Sequence, residues 1–292
     1  MFEFTPVIII GAGRSGTNIL RDSLCRIEGF DTWRCDEINP IWRHGNTVKN
    51  SDVLTAADAS ADIKNYIRSK FVAQWKKTGK PDFLVEKTCA NSLRVDFVST
   101  IIPEALFIYI VRNGTDVVAS AGKRWRGEIE VPTLSYFTAK VRNTPLTDLP
   151  IYVKRFIQGR MSMYFKRKEH MSFWGPQFPG LSDFNPDTPL FELCAHQWVA
   201  CVNSSDDAFR GLDKNRWTKI YYENFVSNQR VCIDSMLEFI GANCSDVKMD
   251  EIVSSIHPDS VGNAGKLKEQ LSGSVHNIMA MTMERHGYIL DE

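Results

Sequence analysis

The sequence predicts an α/β protein, a central parallel sheet flanked by helices, with a mainly helical insertion at about 131–211 inside a single domain spanning 1–292. Three observations lead there. Val7-Ile8-Ile9-Ile10 is an unbroken apolar run rich in β-branched residues, the pattern of a strand buried on both faces, as in parallel sheets. Leu106 to Val111 is a second such run, and each is followed by a glycine-bearing turn and then by a helical apolar period. Strand and helix keep alternating to about residue 125, the order that builds a parallel sheet through crossover helices.

The first strand runs straight into Gly11-Ala12-Gly13-Arg14-Ser15-Gly16-Thr17-Asn18, and Ile19, Leu20, Leu24 and Ile27 then mark one side of a helix. Glycines let the backbone turn tightly and aim successive N–H groups at an anion, and the positive end of the following helix falls on the same spot. The loop is P-loop-like, with the glycine spacing of G-x-x-x-x-G-K-[ST], but Thr17 stands where the lysine belongs and Asn18 where the magnesium-binding hydroxyl belongs. Nucleotide triphosphate chemistry is thereby disfavoured. The cation sits inside the loop, as Arg14.

Arg34-Cys35-Asp36-Glu37-Ile38-Asn39-Pro40 follows the first helix as an acidic turn. Asp52 is the expected cap of a long amphipathic helix whose stripe is Ile63, Tyr66, Ile67, Phe71, Val72 and Trp75, closed by Gly79-Lys80-Pro81. Phe83-Leu84-Val85 leads into Glu86-Lys87-Thr88-Cys89-Ala90-Asn91-Ser92-Leu93-Arg94. After the strand at 106–111, Asp116, Val117, Val118 and Ala121 place a helix start near Asn113, so Arg112 sits at the strand's carboxyl end and Ser120 about two turns into the helix. Ligands in open α/β sheets bind at that end.

The segment Ser172-Phe173-Trp174-Gly175-Pro176-Gln177-Phe178-Pro179-Gly180 combines aromatics and prolines, which suits either a substrate lid or a structural Ω-loop. His196, in the helix that follows, reads as a packed core residue. Thr218 to Phe225 is a late strand end, and Ile233, Met236, Leu237 and Ile240 form the packing face of a helix from Val231 to Ile240 that closes on Gly241.

Arg14-Ser15-Gly16-Thr17 after a hydrophobic strand resembles the 5′-phosphosulfate loop of sulfotransferases that use 3′-phosphoadenosine 5′-phosphosulfate (PAPS). Val111-Arg112-Asn113 with Ser120 eight residues after the arginine is similar to that family's 3′-phosphate motif, in family order and about 100 residues downstream. The Glu86–Arg94 segment resembles the Glu-Lys-(Thr/Ser)-Pro-x-Asn-x-x-Arg stretch of bacterial and Golgi members, with Cys89 in place of the proline. Tyr221-Tyr222-Glu223-Asn224 is similar to the Tyr-Glu-(Asp/Asn) strand end, and Gly262 to Lys268 to the Gly- and Lys-rich loop over the 3′-phosphate.

The resemblance implies roles. Gly13, Arg14, Ser15, Gly16, Thr17 and Asn18 would hold the 5′-phosphosulfate, Arg112 and Ser120 the 3′-phosphate, with Lys266 as a further contact. Tyr222 would line the adenine pocket, with an ordinary core tyrosine as the other reading. Lys87 would meet the bridging oxygen. Glu37 would take the acceptor's proton, as in the similar Arg-Cys-Gly-Glu-Glu segment of tyrosylprotein sulfotransferases, with Asp36 as the alternative one residue away. The expected reaction is metal-independent, in-line transfer of a sulfuryl group from PAPS to a hydroxyl or amine acceptor, leaving adenosine 3′,5′-bisphosphate (PAP). A P-loop small-molecule kinase or a catalytically silent nucleotide-binding module are the rivals.

Composition sets outer bounds. At 292 residues and 43% hydrophobic content the chain can bury a substantial core. Lys plus Arg equals Asp plus Glu at 35 each, so net charge advertises neither nucleic acid nor an anionic membrane as a partner. Seven scattered cysteines without C-x-x-C point to reduced thiols in a cytoplasm, and six histidines show no metal-ligand spacing. No run reaches transmembrane length.

Overall fold

The computed structural model describes residues 1–126, 148, 174–185, 187–256 and 273–289. Its strands are β1 (Thr5–Ile10), β2 (Phe30–Thr32), β3 (Phe83–Lys87), β4 (Leu106–Val111) and β5 (Trp217–Tyr221). The helices that matter for the site are α1 (Thr17–Leu24), α2 (Asn39–Trp42), α3 (Ala61–Lys77), α4 (Val95–Ile101), α5 (Gly114–Trp125), α6 (Leu190–Gly211), α7 (Tyr222–Ser227), α8 (Gln229–Ile240), α9 (Asp246–Ser254) and α10 (Gly273–Arg285).

The five strands pair in parallel in the order β2-β3-β1-β4-β5. Val7 of β1 lies between Val85 of β3 and Leu106 of β4. The chain therefore builds one side of the sheet first, crosses over β1 and builds the other. Such a crossing leaves a crevice at the carboxyl ends of the central strands.

Alternation along β1 divides the core. Ile8 and Ile10 pack with Trp42, Phe71, Phe97 and Phe107 on one face, while Val7 and Ile9 pack with Leu20, Leu24, Ile233 and Leu237 on the other. Val7, Ile8, Ile9 and Ile10 are fully buried, each contributing roughly 1.5–3 kcal/mol of hydrophobic stabilisation. A third cluster joins Val117, Val118 and Ala121 of α5 to Trp198 and Val202 of α6 and to Met279 and Met283 of α10. It fixes α5, and with it the start of the second motif.

Several boundaries fall where the sequence places them. Asn113 caps α5, its Oδ1 accepting from the Thr115 amide at 3.0 Å, and α8 closes on Gly241 at φ +80°. Others differ. The helix carrying the Ile63–Trp75 stripe starts at Ala61, where Ser60 Oγ accepts from Ile63 N, and Asp52 caps nothing. Thr55 and Asp58 instead close a capped 3-10 turn between them, and Asp52 is buried as the partner of Arg43 at 2.8 Å. His196 is only half buried, tilted against Phe184. Its neighbour Gln197 is the polar residue that packs inward. Of the expected helical insertion, α6 accounts for 190–211, and most of 131–173 lies outside the described residues. No helix among the described residues is long and apolar enough to cross a membrane.

Candidate active site

The loop after β1 has the form that its glycines allow. Ser15 N donates to Ala12 O, and Gly16 at φ +88° turns the chain into α1, whose first backbone bond is Leu20 N to Gly16 O. Arg14 also sits at positive φ, +72°, a strained setting that non-glycine residues hold where the surroundings over-determine it, often at functional sites. Ser15 is buried, and its hydroxyl has no hydrogen-bond partner among the described residues. An orphaned hydroxyl inside an amide-lined turn fits an anionic ligand. Asn18 is exposed on the first turn of α1, and Thr17 is buried with Oγ1 3.7 Å from Cys89 Sγ.

The second motif meets the first. Arg14 Nε donates to Ser120 Oγ at 2.9 Å, and Arg112 Nη1 donates to the Arg14 carbonyl at 3.1 Å. Arg112 is itself buried, stacked 4.4 Å over the Tyr222 ring and 3.5 Å from Asp116. Burial, together with the nearby Arg124 and Arg112 cations, draws the Arg14 pKa downward. So much positive charge gathered around one loop favours an anion there. Tyr222 opens α7 instead of ending the strand, and its fully buried ring lies against Gly16 and under Arg112. What it touches is the loop itself and the arginine. Glu223 braces the same corner, accepting from Asn113 N and from the Tyr288 hydroxyl.

Lys87, at the carboxyl end of β3, reaches the acidic turn after β2. Its Nζ lies 3.0 Å from Asp36 Oδ1 and 3.4 Å from Glu37 Oε1, and its side chain is 1% exposed. Burial opposes its charge, but the Glu37 and Asp36 carboxylates outweigh burial and raise its pKa above the usual lysine value. It stays a cation. Burial likewise opposes ionisation of Asp36, yet Lys87 and Arg21 hold its carboxyl below the ordinary aspartate range, Arg21 by a 2.8 Å ion pair. Glu37 Oε1 also accepts from Cys89 N at 3.2 Å. The Cys89 thiol is pushed well up, by burial and then by Glu37, which makes it a poor nucleophile.

By composition the 174–180 loop suits a lid or an Ω-loop, and the structure puts Trp174 over the glycine-rich loop after β1. A Cβ built on Gly13 would lie 3.3 Å from the Trp174 ring. Gln197 Nε2 holds this loop by donating to the Trp174 and Pro176 carbonyls, both at 2.9 Å. Asp52 holds its far end, accepting from Gln177 N at 2.8 Å and donating its own N–H to Gln177 O at 2.7 Å. The Asp52 anchor is not legible from local sequence patterns. A glutamine inside an apolar helix is the one signal that points to such a clasp.

Lys266 lies outside the described residues. Among the described residues no group of three or more His, Cys, Asp or Glu side chains is placed to hold a metal ion.

A parallel α/β sheet with an arginine-bearing, glycine-rich loop at its crossover, near a buried lysine and two carboxylates, has the make-up of a group-transfer class of protein. The sequence profile of the sulfotransferase family matches residues 6–162, and the chain belongs to that family. No curated protein sequence matches it. Among solved structures it is similar to the sulfotransferase domain of the curacin biosynthetic pathway, at TM-score 0.54 and 14% identity, covering 100% of each chain. A sulfotransferase domain from the Synechococcus PCC 7002 olefin synthase gives TM-score 0.54 and 14% identity over 100% of this chain and 98% of that one. A sulfotransferase from Alicyclobacillus acidocaldarius gives 0.52 and 13% over 99% and 98%. At these identities the likeness establishes a shared fold.

Proposed function

We propose that this chain is a PAPS-dependent sulfotransferase that moves a sulfuryl group to a hydroxyl or amine acceptor by in-line, metal-independent transfer. The observation that carries the reading is the junction of the two anion-binding segments, Arg14 Nε on Ser120 Oγ and Arg112 Nη1 on the Arg14 carbonyl. Two cationic subsites fused in this way suit a donor with phosphate groups at both ends of its ribose. When bound, PAPS supplies an activated sulfuryl group on a mixed anhydride. Gly13, Arg14, Ser15, Gly16, Thr17 and Asn18 form the turn that would bind its 5′ end, and Arg112 with Ser120 would clamp the 3′-phosphate. Tyr222 supports both from behind.

Loose transfer of a charged group asks mainly for positioning and a positive field. Arg14 and Lys87 supply that field, with Lys87 turning from its carboxylates toward the bridging oxygen. Glu37 is the better base of the two acids. Asp36 is engaged by two cations that hold its proton affinity low, whereas only Oε1 of Glu37 takes up the Lys87 and Cys89 donors. The seven free thiols support a cytoplasmic setting, with the chain working as one domain.

Calorimetric titration tests the donor. PAP should bind without added magnesium, and labelled PAPS should pass its sulfuryl group to a member of a panel of alcohols, phenols and amines. Binding of magnesium-ATP with no response to PAP would replace the reading with a kinase. PAP binding without any transfer across the panel would favour a silent module.

A further inference from the structure

Glu86 lies one residue before Lys87 on β3 and points to the opposite face of the strand, where it is 1% exposed. Both of its oxygens are used. Thr88 Oγ1 donates to Oε1 at 2.5 Å, and Asn91 Nδ2 donates to Oε2 at 2.9 Å. Each bond begins a path. The Thr88 hydroxyl, its single proton committed to Glu86, accepts from the Ile38 amide at 3.1 Å. Asn91 Oδ1 accepts from Arg94 Nε at 2.9 Å, and Arg94 Nη2 donates to Asn39 Oδ1 at 2.5 Å.

The two paths therefore leave one carboxylate and end on adjacent residues, Ile38 and Asn39, directly after Glu37. Ile38 caps α2, receiving Ile41 N at 2.8 Å, so the anchored point is also where the acidic turn becomes helix. Resting on the sulfotransferase reading above, we propose that Glu86 is a positioning residue for the reaction: through Thr88 and through Asn91–Arg94 it fixes the segment that presents Glu37 and Asp36 to Lys87. In its ionised form, which prevails above about pH 7, the carboxylate only accepts, and it receives both donors at once. A glutamine offers one acceptor and one donor, so either Thr88 Oγ1 or Asn91 Nδ2 loses the acceptor it donates to and that path is loosened. Glu86 shares its face of β3 with Leu84, which packs with Trp42 and Phe71, whereas Val85 on the other face packs with Leu20 of α1, and donor binding is left to other residues.

The test uses the full-length protein and the variants Glu86→Gln, Thr88→Val and Thr88→Ser. Amide hydrogen exchange by NMR, without any ligand, should show Ile38 exchanging about tenfold faster or more in Thr88→Val and Glu86→Gln, while core amides such as Ile9 and Ile108 keep their protection. Thr88→Ser keeps the hydroxyl and should keep Ile38 protected. PAP affinity should stay within about twofold in all three, while turnover with labelled PAPS, using whichever of 4-nitrophenol, benzyl alcohol or tyramine wild type sulfates fastest, should fall about tenfold or more in the first two and recover in Thr88→Ser. Unchanged Ile38 exchange or near-normal turnover in Thr88→Val, or PAP affinity falling in step with turnover, overturns the proposal. Wild-type protein that ignores PAP would instead overturn the sulfotransferase reading, and the exchange measurement would still decide whether the brace exists.

Discussion

Replacing Gly16 with alanine should cost more than its backbone angle alone explains. Gly16 has φ +88°, and an added Cβ would lie 2.2 Å from Cδ2 and 2.6 Å from Cε2 of Tyr222. The ring has nowhere to retreat, because it is fully buried among Phe225, Leu20 and Ile233 and lies beneath Arg112. Gly241 supplies the control, with φ +80° and nothing within 4 Å of where its added Cβ would stand. Both substitutions carry the left-handed backbone penalty, roughly 1–2 kcal/mol. Only Gly16→Ala adds overpacking, roughly 1–3 kcal/mol more. The expected losses are thus about 2–5 kcal/mol for Gly16→Ala and about 1–2 kcal/mol for Gly241→Ala. Urea unfolding with matched m-values measures both, and Tyr222→Ala combined with Gly16→Ala should recover the contact part as a coupling energy. Equal losses at the two glycines, or no coupling to Tyr222, would refute the idea that the loop is seated on that ring.

Three further outcomes are expected. Arg112→Ala should weaken PAP binding by about 2–4 kcal/mol in calorimetry, while adenosine 5′-phosphosulfate, which lacks the 3′-phosphate, should lose little; equal losses would move the 3′ subsite elsewhere. Burial raises the Glu86 carboxyl to about 7 against the pull of Thr88. Because the folded value exceeds the unfolded one, the contribution of this group is fully present below about pH 4.5 and is lost as pH rises through about 7, a change of roughly 3 kcal/mol. Thermal unfolding across that window should be flatter in Glu86→Gln than in wild type, and an unaltered slope would contradict the assignment. Finally, Gln197→Ala leaves two loop carbonyls without their donor and should cost about 1–3 kcal/mol, read as faster proteolysis near Trp174; an unchanged cleavage pattern would mean that Asp52 alone holds the loop.

The apolar strands and their glycine turns are plain in the sequence because a parallel sheet needs both faces of its central strands to be apolar, and Val7–Ile10 of β1 and the residues of β4 follow that, Tyr109 alone adding a polar group. Arg14, Arg112 and Ser120 are readable for a different reason: their spacing follows from a strand end and a helix start, which local patterns mark. Their mutual hydrogen bonds are not readable, since they join residues about 100 positions apart. Asp52 misleads because a polar residue before a helical stripe looks like a cap, whereas two buried arginines compete for it more strongly. Glu86 carries a subtler signal. An acid inside Phe-Leu-Val-Glu-Lys has to face the interior when its neighbour faces the crevice, so alternation alone implies a buried partner network.

Arg14 and Arg112 are both held before any ligand arrives, one on Ser120 and the other on a main-chain carbonyl and a tyrosine face. Ordering a long side chain on association costs about 0.5–1.5 kcal/mol, and two arginines already in place remove most of that cost. The exchange is enthalpic: a docking anion must displace the bond to Ser120 or share its donors. Association should therefore be fast and little opposed by entropy, with affinity set by how well the incoming charge replaces internal bonds. Analogues that mimic only one end of the donor would still have to break the same junction, which penalises partial occupants and favours a ligand that spans both segments at once.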